Sequence, residues 1–282
     1  MPVISKCIWW IVTIFNNSGF NNSGSDLVFT GGGRAQPLVI IRRRGAKGMR
    51  LSIDPRDASV RLSLPLRAPL RPALTWAAGK RAWIEAELAR MPSGQPIIPG
   101  MEFMVAGNAV RLDWRLEYPR YPLLVIPAQA GIQRLNGQQE LDSRLRGNDE
   151  GVLRVGGPLD QMPARVLRFL KRHALDTLTR ETRDLAAVHD IRIVKVGVGD
   201  PKSRWGSCAS SGDIRYSWRL ILAPGHVRLA TVAHEVAHRV HMNHSREFHA
   251  LVATLFGADP APARRWLRAN GTALHWFGRG ND

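Results

Sequence analysis

Two histidines and one glutamate in this chain stand at a spacing that can bind a metal ion and use it. The sequence His-Glu-Val-Ala-His places them at His234, Glu235 and His238. On an α-helix, residues four positions apart lie one turn apart on the same face, so both imidazoles can converge on one ion. Glu235 lies on the adjacent flank, where its carboxylate can take a proton from a water molecule bound to that ion. The spacing therefore predicts a metal site that activates water.

A catalytic zinc ion needs a third protein ligand and keeps one position open for water. The nearby candidates are His241, His244, Glu247 and His249. His241 projects away from His234 around the helix, and His244 would lie roughly 15 Å along the axis if the helix simply continued. His244 can contribute if the chain turns back after His241, and Asn243 permits that turn because Asn tolerates the left-handed conformation that ends helices. We therefore predict His244 as the third ligand, with Glu247 as an alternative and His241 and His249 as bystanders.

Local patterns predict the elements that position these residues. A helix is expected over 226–241, and a second helix over 246–257 is expected to begin at the cap Ser245 and to stop at Gly257. The other predicted elements of this half are a long helix over 163–188 and strands over 191–200 and 214–223. Because the last strand directly precedes the helix of the two histidines, we expect it to form a sheet edge that can pair with an extended peptide.

The N-terminal half predicts a β-rich region over 37–157 with one helix over 68–91. A hairpin is expected over 101–114, with its turn at Gly107-Asn108. Residues 124–150 lack either periodicity and resemble a translated bacterial repeat element, so we interpret them as an insert in a surface loop. Residues 1–36 contain a tandem Phe-Asn-Asn-Ser-Gly repeat and are interpreted as a disordered extension or the product of a start codon assigned too early. The remaining predicted domains are a core over 158–273 and a tail over 274–282.

The composition is that of a globular protein with an unusual basic excess. Lys and Arg number 40 against 23 Asp and Glu, which gives a formal net charge of +17 at pH 7. Such a charge can attract nucleic acid, although no recognisable binding motif accompanies it. With only Cys7 and Cys208, no disulfide framework is expected, Cys208 is interpreted as a packed residue, and the cytoplasm is the default compartment. The apolar run at 7–15 is too short to span a bilayer, so no stable membrane insertion is expected.

Four sequence blocks resemble one enzyme family. They are Lys-Ser-Arg-Trp-Gly-Ser-Cys (202–208), Trp-Arg-Leu-Ile-Leu-Ala-Pro (218–224), the H-E-x-x-H segment (234–238) and Met-Asn-His-Ser (242–245). In this order and spacing they resemble the YgjP-like metallopeptidases, bacterial relatives of the SprT and WLM-type zinc proteases. The resemblance implies an α+β fold, in which a β-rich N-terminal region precedes a compact zincin-like metallopeptidase core with an H-E-x-x-H helix. It also implies zinc ligands and a catalytic acid/base, which carry over to His234, His238 and His244 and to Glu235.

These observations together predict a zinc-dependent metallopeptidase that acts on a peptide or protein substrate. Glu235 would deprotonate a zinc-bound water for attack on the peptide carbonyl and pass the proton to the leaving amine. Tyr216 and Arg219 are weak candidates for stabilising the oxyanion. One alternative is a nucleic-acid-associated protein, whose protease activity is directed at DNA-bound substrates or is absent, and whose basic surface holds nucleic acid weakly. The other is a non-catalytic zinc-stabilised fold.

Overall fold

The computed structural model of the chain describes residues 27–31, 34–91, 94–126 and 151–280. These residues belong to two compact units, one that ends at residue 93 and one over 94–280. The first unit has its own cluster of buried apolar side chains, and the second unit is built around a larger cluster. The two units are therefore described one after the other.

The first unit combines a four-stranded sheet with two helices. Its strands lie in the order β1-β2-β4-β3, with β2 and β4 parallel and the two outer pairs antiparallel. The elements are β1 (Leu27–Gly31), β2 (Arg34–Arg43), β3 (Arg50–Ile53), β4 (Val60–Pro65), α1 (Leu70–Ala78) and α2 (Arg81–Ala89). The side chains of Val60, Leu62 and Leu64 are fully buried because alternate residues of a strand face the same side. They share a cluster with Ala73 of α1 and Ile84 of α2.

The structure of this unit differs from the sequence prediction in two places. The single helix predicted over 68–91 is two helices, because α1 stops at Gly79, a residue with low helix propensity. Residues 27–31 and 34–36, which we assigned to the extension, form β1 and the start of β2, and Phe29 is only 2% exposed. Burial of this ring stabilises a segment that its polar neighbours marked as disordered. The rest of the predicted extension, residues 1–26 and 32–33, lies outside the described residues.

The second unit contains two sheets and the helices that pack on them. One sheet has the strand order β5-β6-β8-β7 and the other β10-β11-β9. The strands are β5 (Glu102–Val105), β6 (Asn108–Trp114), β7 (Leu123–Val125), β8 (Gly151–Val155), β9 (Lys195–Gly199), β10 (Gly206–Cys208) and β11 (Asp213–Ser217). The helices are α3 (Met162–Val188), α4 (Gly225–Ala237), α5 (Arg246–Phe256) and α6 (Ala261–Trp276). None of the described helices is long and apolar enough to cross a membrane.

The predicted hairpin is present as β5 and β6, and its turn lies one residue earlier than expected. Ala106 and Gly107 are the central turn residues, with φ of 55° and 95°, the left-handed backbone of a tight hairpin turn. The strand β7 pairs with β8, so residues 124 and 125 of the predicted insert belong to this sheet. Residues 127–150 of the insert lie outside the described residues.

The hairpin sheet and the helical half of the second unit share one hydrophobic core. Val105, Leu112 and Val155 from the sheet lie in the same buried cluster as Leu170 and Leu178 of α3. The compact units therefore separate between residues 93 and 94, whereas the sequence analysis placed a boundary after residue 157. The predicted tail over 274–282 also starts inside this core, since α6 continues to Trp276 and Phe277 is buried. Periodicity shows which residues are buried, but not which element covers them.

A buried ion pair fixes the helix that carries the H-E-x-x-H segment. The guanidinium of Arg228 on α4 donates to both carboxylate oxygens of Glu181 on α3, at distances between 2.7 and 3.0 Å. The side chains are 6% and 14% exposed. Separating a charge pair so far removed from water would be costly, because each charge would then be buried without a partner. The pair therefore sets the position of α4 against the long helix.

The strand that precedes α4 is shorter than predicted and is not a sheet edge. The predicted strand over 214–223 ends at Ser217, whose side chain accepts a hydrogen bond from the Arg219 amide and begins a 3-10 turn over Trp218–Leu222. β11 lies between β10 and β9, so the expectation that it offers a free edge to a peptide was wrong. The edge strand on one side of it is β10.

Candidate metal centre

Three histidines from α4 and the turn after it converge at one point. The ligating nitrogens of His234, His238 and His244 all lie within 4.8 Å of one another. The Nε2 atoms of His234 and His244 are 3.3 Å apart. Among the described residues, these histidines are the group of three or more His, Cys, Asp or Glu side chains that is placed to hold a metal ion. The structure thus brings together the three histidines that the sequence singled out.

The chain returns to the site by a tight turn rather than by the left-handed Asn243 that we expected. The helix α4 ends at Ala237, four residues before the predicted end. The amides of Arg239 and Val240 donate to carbonyls three residues back, which tightens the last turn. No positive φ occurs at Asn243, since the described non-glycine residues with positive φ are Ala58, Ala106 and Asp190. The chain turns back and brings His244 to the other two histidines, as predicted, but Asn243 does not adopt the left-handed conformation that we expected.

The second helix begins and ends as the sequence predicts. The Ser245 Oγ accepts a hydrogen bond from the Phe248 amide at the start of α5. Gly257 ends the helix with φ 74°, the left-handed conformation that a Cβ would strain. This cap fixes the first turn of α5 directly after His244, and thereby also fixes Phe248.

Phe248 forms the floor of the site. Its side chain is fully buried, and its ring centroid lies 4.9 Å from that of His234, 4.5 Å from that of His238 and 4.8 Å from that of His244. One ring therefore packs against all three imidazoles and limits the rotamers that each can adopt. Phe248 had no role in the sequence-based prediction, which gave only the start and the end of this helix.

A backbone carbonyl orients His238. The Nδ1 atom of His238 lies 3.1 Å from the carbonyl oxygen of His241. A protonated Nδ1 donates to this carbonyl, which leaves Nε2 unprotonated as a ligand. His241 was interpreted as a bystander, and its side chain is one, but its main chain takes part in the site. A backbone role of this kind has no signature in residue type.

The two histidines of the helix are held in the neutral form that binds metal. Burial, with smaller contributions from the neighbouring imidazoles, lowers the pKa of His234 to about 4. Burial also lowers the pKa of His238, against the opposing effect of its bond to His241. Both imidazoles are therefore unprotonated at neutral pH, so no proton would have to be displaced from them for a metal ion to bind.

Glu235 is buried beside the histidines and lacks a hydrogen-bond partner. Its side chain is 4% exposed, and its Oε2 atom has no partner within the described residues. Burial raises the pKa of Glu235 to about 7, although the charge of Arg204 acts in the opposite direction. A buried carboxyl without a partner is costly in a merely structural role. Its position and its pKa suit a group that exchanges a proton near neutral pH.

Strand β10 passes directly over Glu235 at Gly206. A Cβ added to Gly206 would clash with the Glu235 Oε1 atom and lie 2.6 Å from its Cγ. Only a glycine leaves room for the carboxylate at this point of the strand. Gly206 lies within the block 202–208 that resembles the enzyme family, but the sequence alone gave it no role. No local pattern relates a glycine to a residue on another element.

We expect Gly206→Ala to lower kcat/KM for peptide hydrolysis by about 100-fold. The added methyl would displace the Glu235 carboxylate, and a displacement of about 1 Å in a reacting group can cost that much. Metal content should be unchanged, since no ligand is touched. Gly197→Ala is the matched control, because it lies in the same sheet and an added Cβ there meets nothing within 4 Å. Steady-state kinetics and metal analysis of both variants decide this prediction. Equal activity of the two would show that Gly206 does not set the position of Glu235.

The alternative site residues are engaged elsewhere. Glu247 is exposed, and hydrogen bonds from its own backbone and from Ser245 lower the pKa of its carboxyl, so it belongs to the start of α5. His249 is exposed, and its ring centroid is 6.2 Å from that of His244. Burial raises the pKa of the Cys208 thiol, which opposes a nucleophilic role.

Both weak candidates for oxyanion stabilisation are engaged in contacts within the fold. Tyr216 is fully buried, and its hydroxyl is 3.0 Å from that of Thr182 in the core. Arg219 is paired with Asp200 and donates to the carbonyl of Leu274. Both side chains stabilise the fold, so the suggestion that they face the reaction is not supported by the structure.

Fold and site together define a class of protein. Strands come first and a helical core follows, as predicted, and the core carries three converging histidines beside a buried glutamate. This is the arrangement of a zincin-like metallopeptidase. A scan against protein-family models matches residues 47–270 to the YgjP-like metallopeptidase domain, and the chain belongs to this family. This match confirms the resemblance drawn from the four sequence blocks. No curated protein and no solved structure matches the chain.

Proposed function

We propose that the protein is a zinc-dependent peptidase, in which His234, His238 and His244 hold the ion and Glu235 is the catalytic acid/base. The observation that carries this proposal is the convergence of three imidazole nitrogens within 4.8 Å beside a buried carboxyl without a partner. Membership of a metallopeptidase family supports peptide hydrolysis as the reaction.

The donor set fits zinc. Three imidazoles and one open position form a common catalytic zinc site, and neutral histidine is the commonest metal ligand among side chains. When bound, zinc supplies a Lewis acid that polarises a carbonyl and lowers the pKa of water. The buried, unpaired Oε2 atom of Glu235 fits such a site, because it gains there the polar partner that the protein does not give it.

Glu235 moves the proton in this proposal. Its carboxylate accepts a proton from the attacking water and, as a carboxylic acid, returns it to the leaving amine. The pKa of about 7 makes both protonation states accessible near neutral pH. Burial excludes bulk water from the carboxyl, so the proton that it receives stays available for the amine.

The edge of β10 is the candidate binding site for an extended peptide. β10 is an outer strand of its sheet, and Gly206 on it lies over Glu235. An added strand pairs through main-chain hydrogen bonds, which hold a substrate without selecting its sequence. This edge replaces β11, which the sequence analysis had favoured.

Chelation and restoration of metal test the proposal. The purified full-length protein, treated with a chelator and freed of it by dialysis, should lose cleavage of a mixed peptide library. One equivalent of zinc should restore at least most of the original rate, while magnesium should not, because imidazoles are poor ligands for Mg²⁺. Cleavage that survives complete removal of metal would exclude the proposed chemistry.

The composition of the first unit favours a second, separate property, which is binding to a polyanion such as nucleic acid. Residues 34–91 contain thirteen Lys and Arg against four Asp and Glu. Five of these cations, all exposed, lie at the end of β2, in the loop that follows it and at the first residue of β3: Arg42, Arg43, Arg44, Lys47 and Arg50. Such a cluster attracts phosphates without reading sequence.

We expect the protein to bind a random-sequence DNA duplex with an affinity that falls steeply with salt. Neutralising three of the five cations, as in Arg43→Ala/Arg44→Ala/Lys47→Ala, should reduce the slope of log Kd against log salt by about 2–3. Fluorescence anisotropy over 50–300 mM salt measures both quantities. Replacing three exposed arginines of the second unit (Arg168, Arg265 and Arg268) is the charge-matched control. Equal slopes for the two triple variants would refute a role of this cluster.

A reducing compartment such as the cytoplasm is proposed as the place of action. Cys208 is a free, half-buried thiol. Thiols of this kind persist where disulfide formation is suppressed. Thiol titration of denatured protein that was purified under non-reducing conditions tests this point, with two titratable thiols per chain, those of Cys7 and Cys208, as the expected result.

A further inference from the structure

A cavity opens directly beside the candidate metal centre, within the second unit. It has a volume of about 270 Å³, and His234 and Glu235 form part of its wall. The rest of its wall comes from α4, α5, α6 and the residues at the start of β10. Clefts that enclose whole small molecules usually measure about 300–1,000 Å³. The smaller volume here suits a single side chain of a longer ligand.

The cavity continues from the metal centre along one face of α4. Val227, Ala230, Thr231, His234 and Glu235 line it, and their spacing of three, four, seven and eight residues places them on the same side of the helix. The two residues that belong to the metal centre are therefore at one end of this face. A side chain that enters the cavity is attached to a backbone that lies at His234 and Glu235.

The inner wall of the cavity is apolar. Val227, Ala230, Val252, Ala263 and Leu267 contribute hydrocarbon groups. The hydroxyl of Thr231 donates to the Val227 carbonyl at 3.0 Å, so this residue also presents its methyl group rather than a free donor. A charged or hydrogen-bonding side chain would lose its water on entry and gain no partner from this wall.

Two arginines add a positive charge at the same cavity. Arg204 and Arg264 both line it and are both exposed, and neither forms an ion pair with another described residue. Their charges act at the site, because the two guanidinium groups line the same cavity as His234 and Glu235. The one acidic side chain of the lining is Glu235. A carboxylate on the ligand is therefore attracted, and a cation is repelled.

We propose that this cavity selects peptides that carry a medium-sized apolar side chain next to the scissile bond and a carboxylate within the adjoining one or two residues. The inference rests on the proposed peptidase function and specifies its substrate class. The apolar wall and the enclosed volume select leucine, methionine or phenylalanine, while Arg204 and Arg264 select the carboxylate. The carboxylate can belong to an acidic side chain or to the C-terminus of the peptide, and both present the same group to a guanidinium.

Cleavage of a defined peptide library by the zinc-loaded full-length protein tests the proposal, with the cut sites identified by mass spectrometry. Peptides with Leu, Met or Phe at one position beside the cut should be cleaved at least ~10-fold faster than those with Ala or Lys there. An Asp or Glu within two residues should add about fivefold. Amidated and free C-termini form separate arms. A gain only with a free C-terminus identifies the terminal carboxylate, and a gain in both arms identifies the acidic side chain.

Two variants assign the preferences to the cavity. Arg264→Glu should invert the charge preference in favour of Lys without altering the apolar preference, whereas Arg265→Glu, its exposed neighbour outside the lining, should leave both unchanged. Leu267→Ala should shift the apolar preference towards tryptophan by about tenfold, because it enlarges the cavity. Thermal unfolding of each variant checks that it is folded. A folded Leu267→Ala variant with the preference of the parent would overturn the proposal.

The failure of this inference is distinct from failure of the peptidase function. Cleavage that depends on Glu235 but shows no preference at any position, or an apolar preference that Leu267→Ala leaves intact, refutes the assignment of the cavity alone. Absence of cleavage of every peptide, or cleavage that persists without Glu235, refutes the proposed function as well.

Discussion

Glu235→Gln should abolish most peptide hydrolysis and leave the metal in place. Proton transfer by a positioned side chain typically contributes about 10²–10⁴-fold to a rate, and we expect kcat/KM to fall within that range. The amide has nearly the shape of the carboxyl, so the space below Gly206 stays filled. It cannot accept a proton at neutral pH, because an amide is not a base there. The variant should also be at least as stable as the parent, since burial of the ionised carboxyl is what raises the pKa of Glu235.

Initial rates with a peptide that the parent cleaves, together with metal content, decide this prediction. Glu247→Gln is the matched control, because it makes the same chemical change at an exposed residue in the first turn of α5, twelve positions after Glu235. Its rate should equal that of the parent. If Glu235→Gln hydrolyses the peptide as fast as the parent, the catalytic role of Glu235 is wrong. If the zinc-loaded parent itself cleaves no peptide, a non-catalytic zinc-stabilised fold becomes the better interpretation. Loss of metal in the variant would instead show that Glu235 acts on the ligands.

The parts of the site that could be predicted are those encoded over a few residues. The spacing of His234 and His238 follows from the helical repeat, and the cap Ser245 and the stop Gly257 follow from the chemistry of helix ends. The convergence of His244 could be foreseen because a continued helix would have placed it too far away. Each of these inferences uses one segment of chain and its own backbone geometry.

The parts that could not be predicted depend on distant segments. Phe248 contacts three imidazoles, the His241 carbonyl orients His238, and Gly206 makes room for Glu235, yet residue type alone gives none of these contacts. The early end of α4 at Ala237 has the same origin, because a tightened last turn is chosen by where the chain must go next. These contacts are set by packing between elements, which a single sequence does not display.

The fold shows the same division. The hairpin of β5 and β6 and the long helix α3 were predicted nearly to the residue, because turn chemistry and a helical stripe are local. The central place of β11 and the common core of the hairpin sheet with α3 were not, because the order of strands is a property of the whole unit. The break at Gly79 was visible in the sequence but was outweighed by the apolar residues on both sides of it.

His244→Ala should weaken zinc binding by more than 100-fold. Changes to groups that merely orient a ligand already cost about 10–100-fold in metal affinity, and His244 is placed to bind the ion directly. The two remaining imidazoles belong to one helix and its cap, so they cannot complete a three-coordinate protein site by themselves. A ligand that binds only the folded state stabilises it in proportion to ln(1 + [L]/Kd). Because Kd rises in the variant, the zinc-induced rise in Tm should be smaller than in the parent.

Zinc titration with a competing chelator and thermal unfolding with and without zinc measure the two effects. His249→Ala is the control, because it removes an exposed imidazole whose ring centroid is 6.2 Å from that of His244, and it should bind zinc as the parent does. His241→Ala should also retain zinc, since the contribution of His241 to the site is its backbone carbonyl. Unchanged affinity in His244→Ala, or an equal loss in His249→Ala, would rule out the three-histidine site. A selective loss in His244→Ala alone shows that the residue reached by the turn after α4, and not the local abundance of histidine, completes the metal centre.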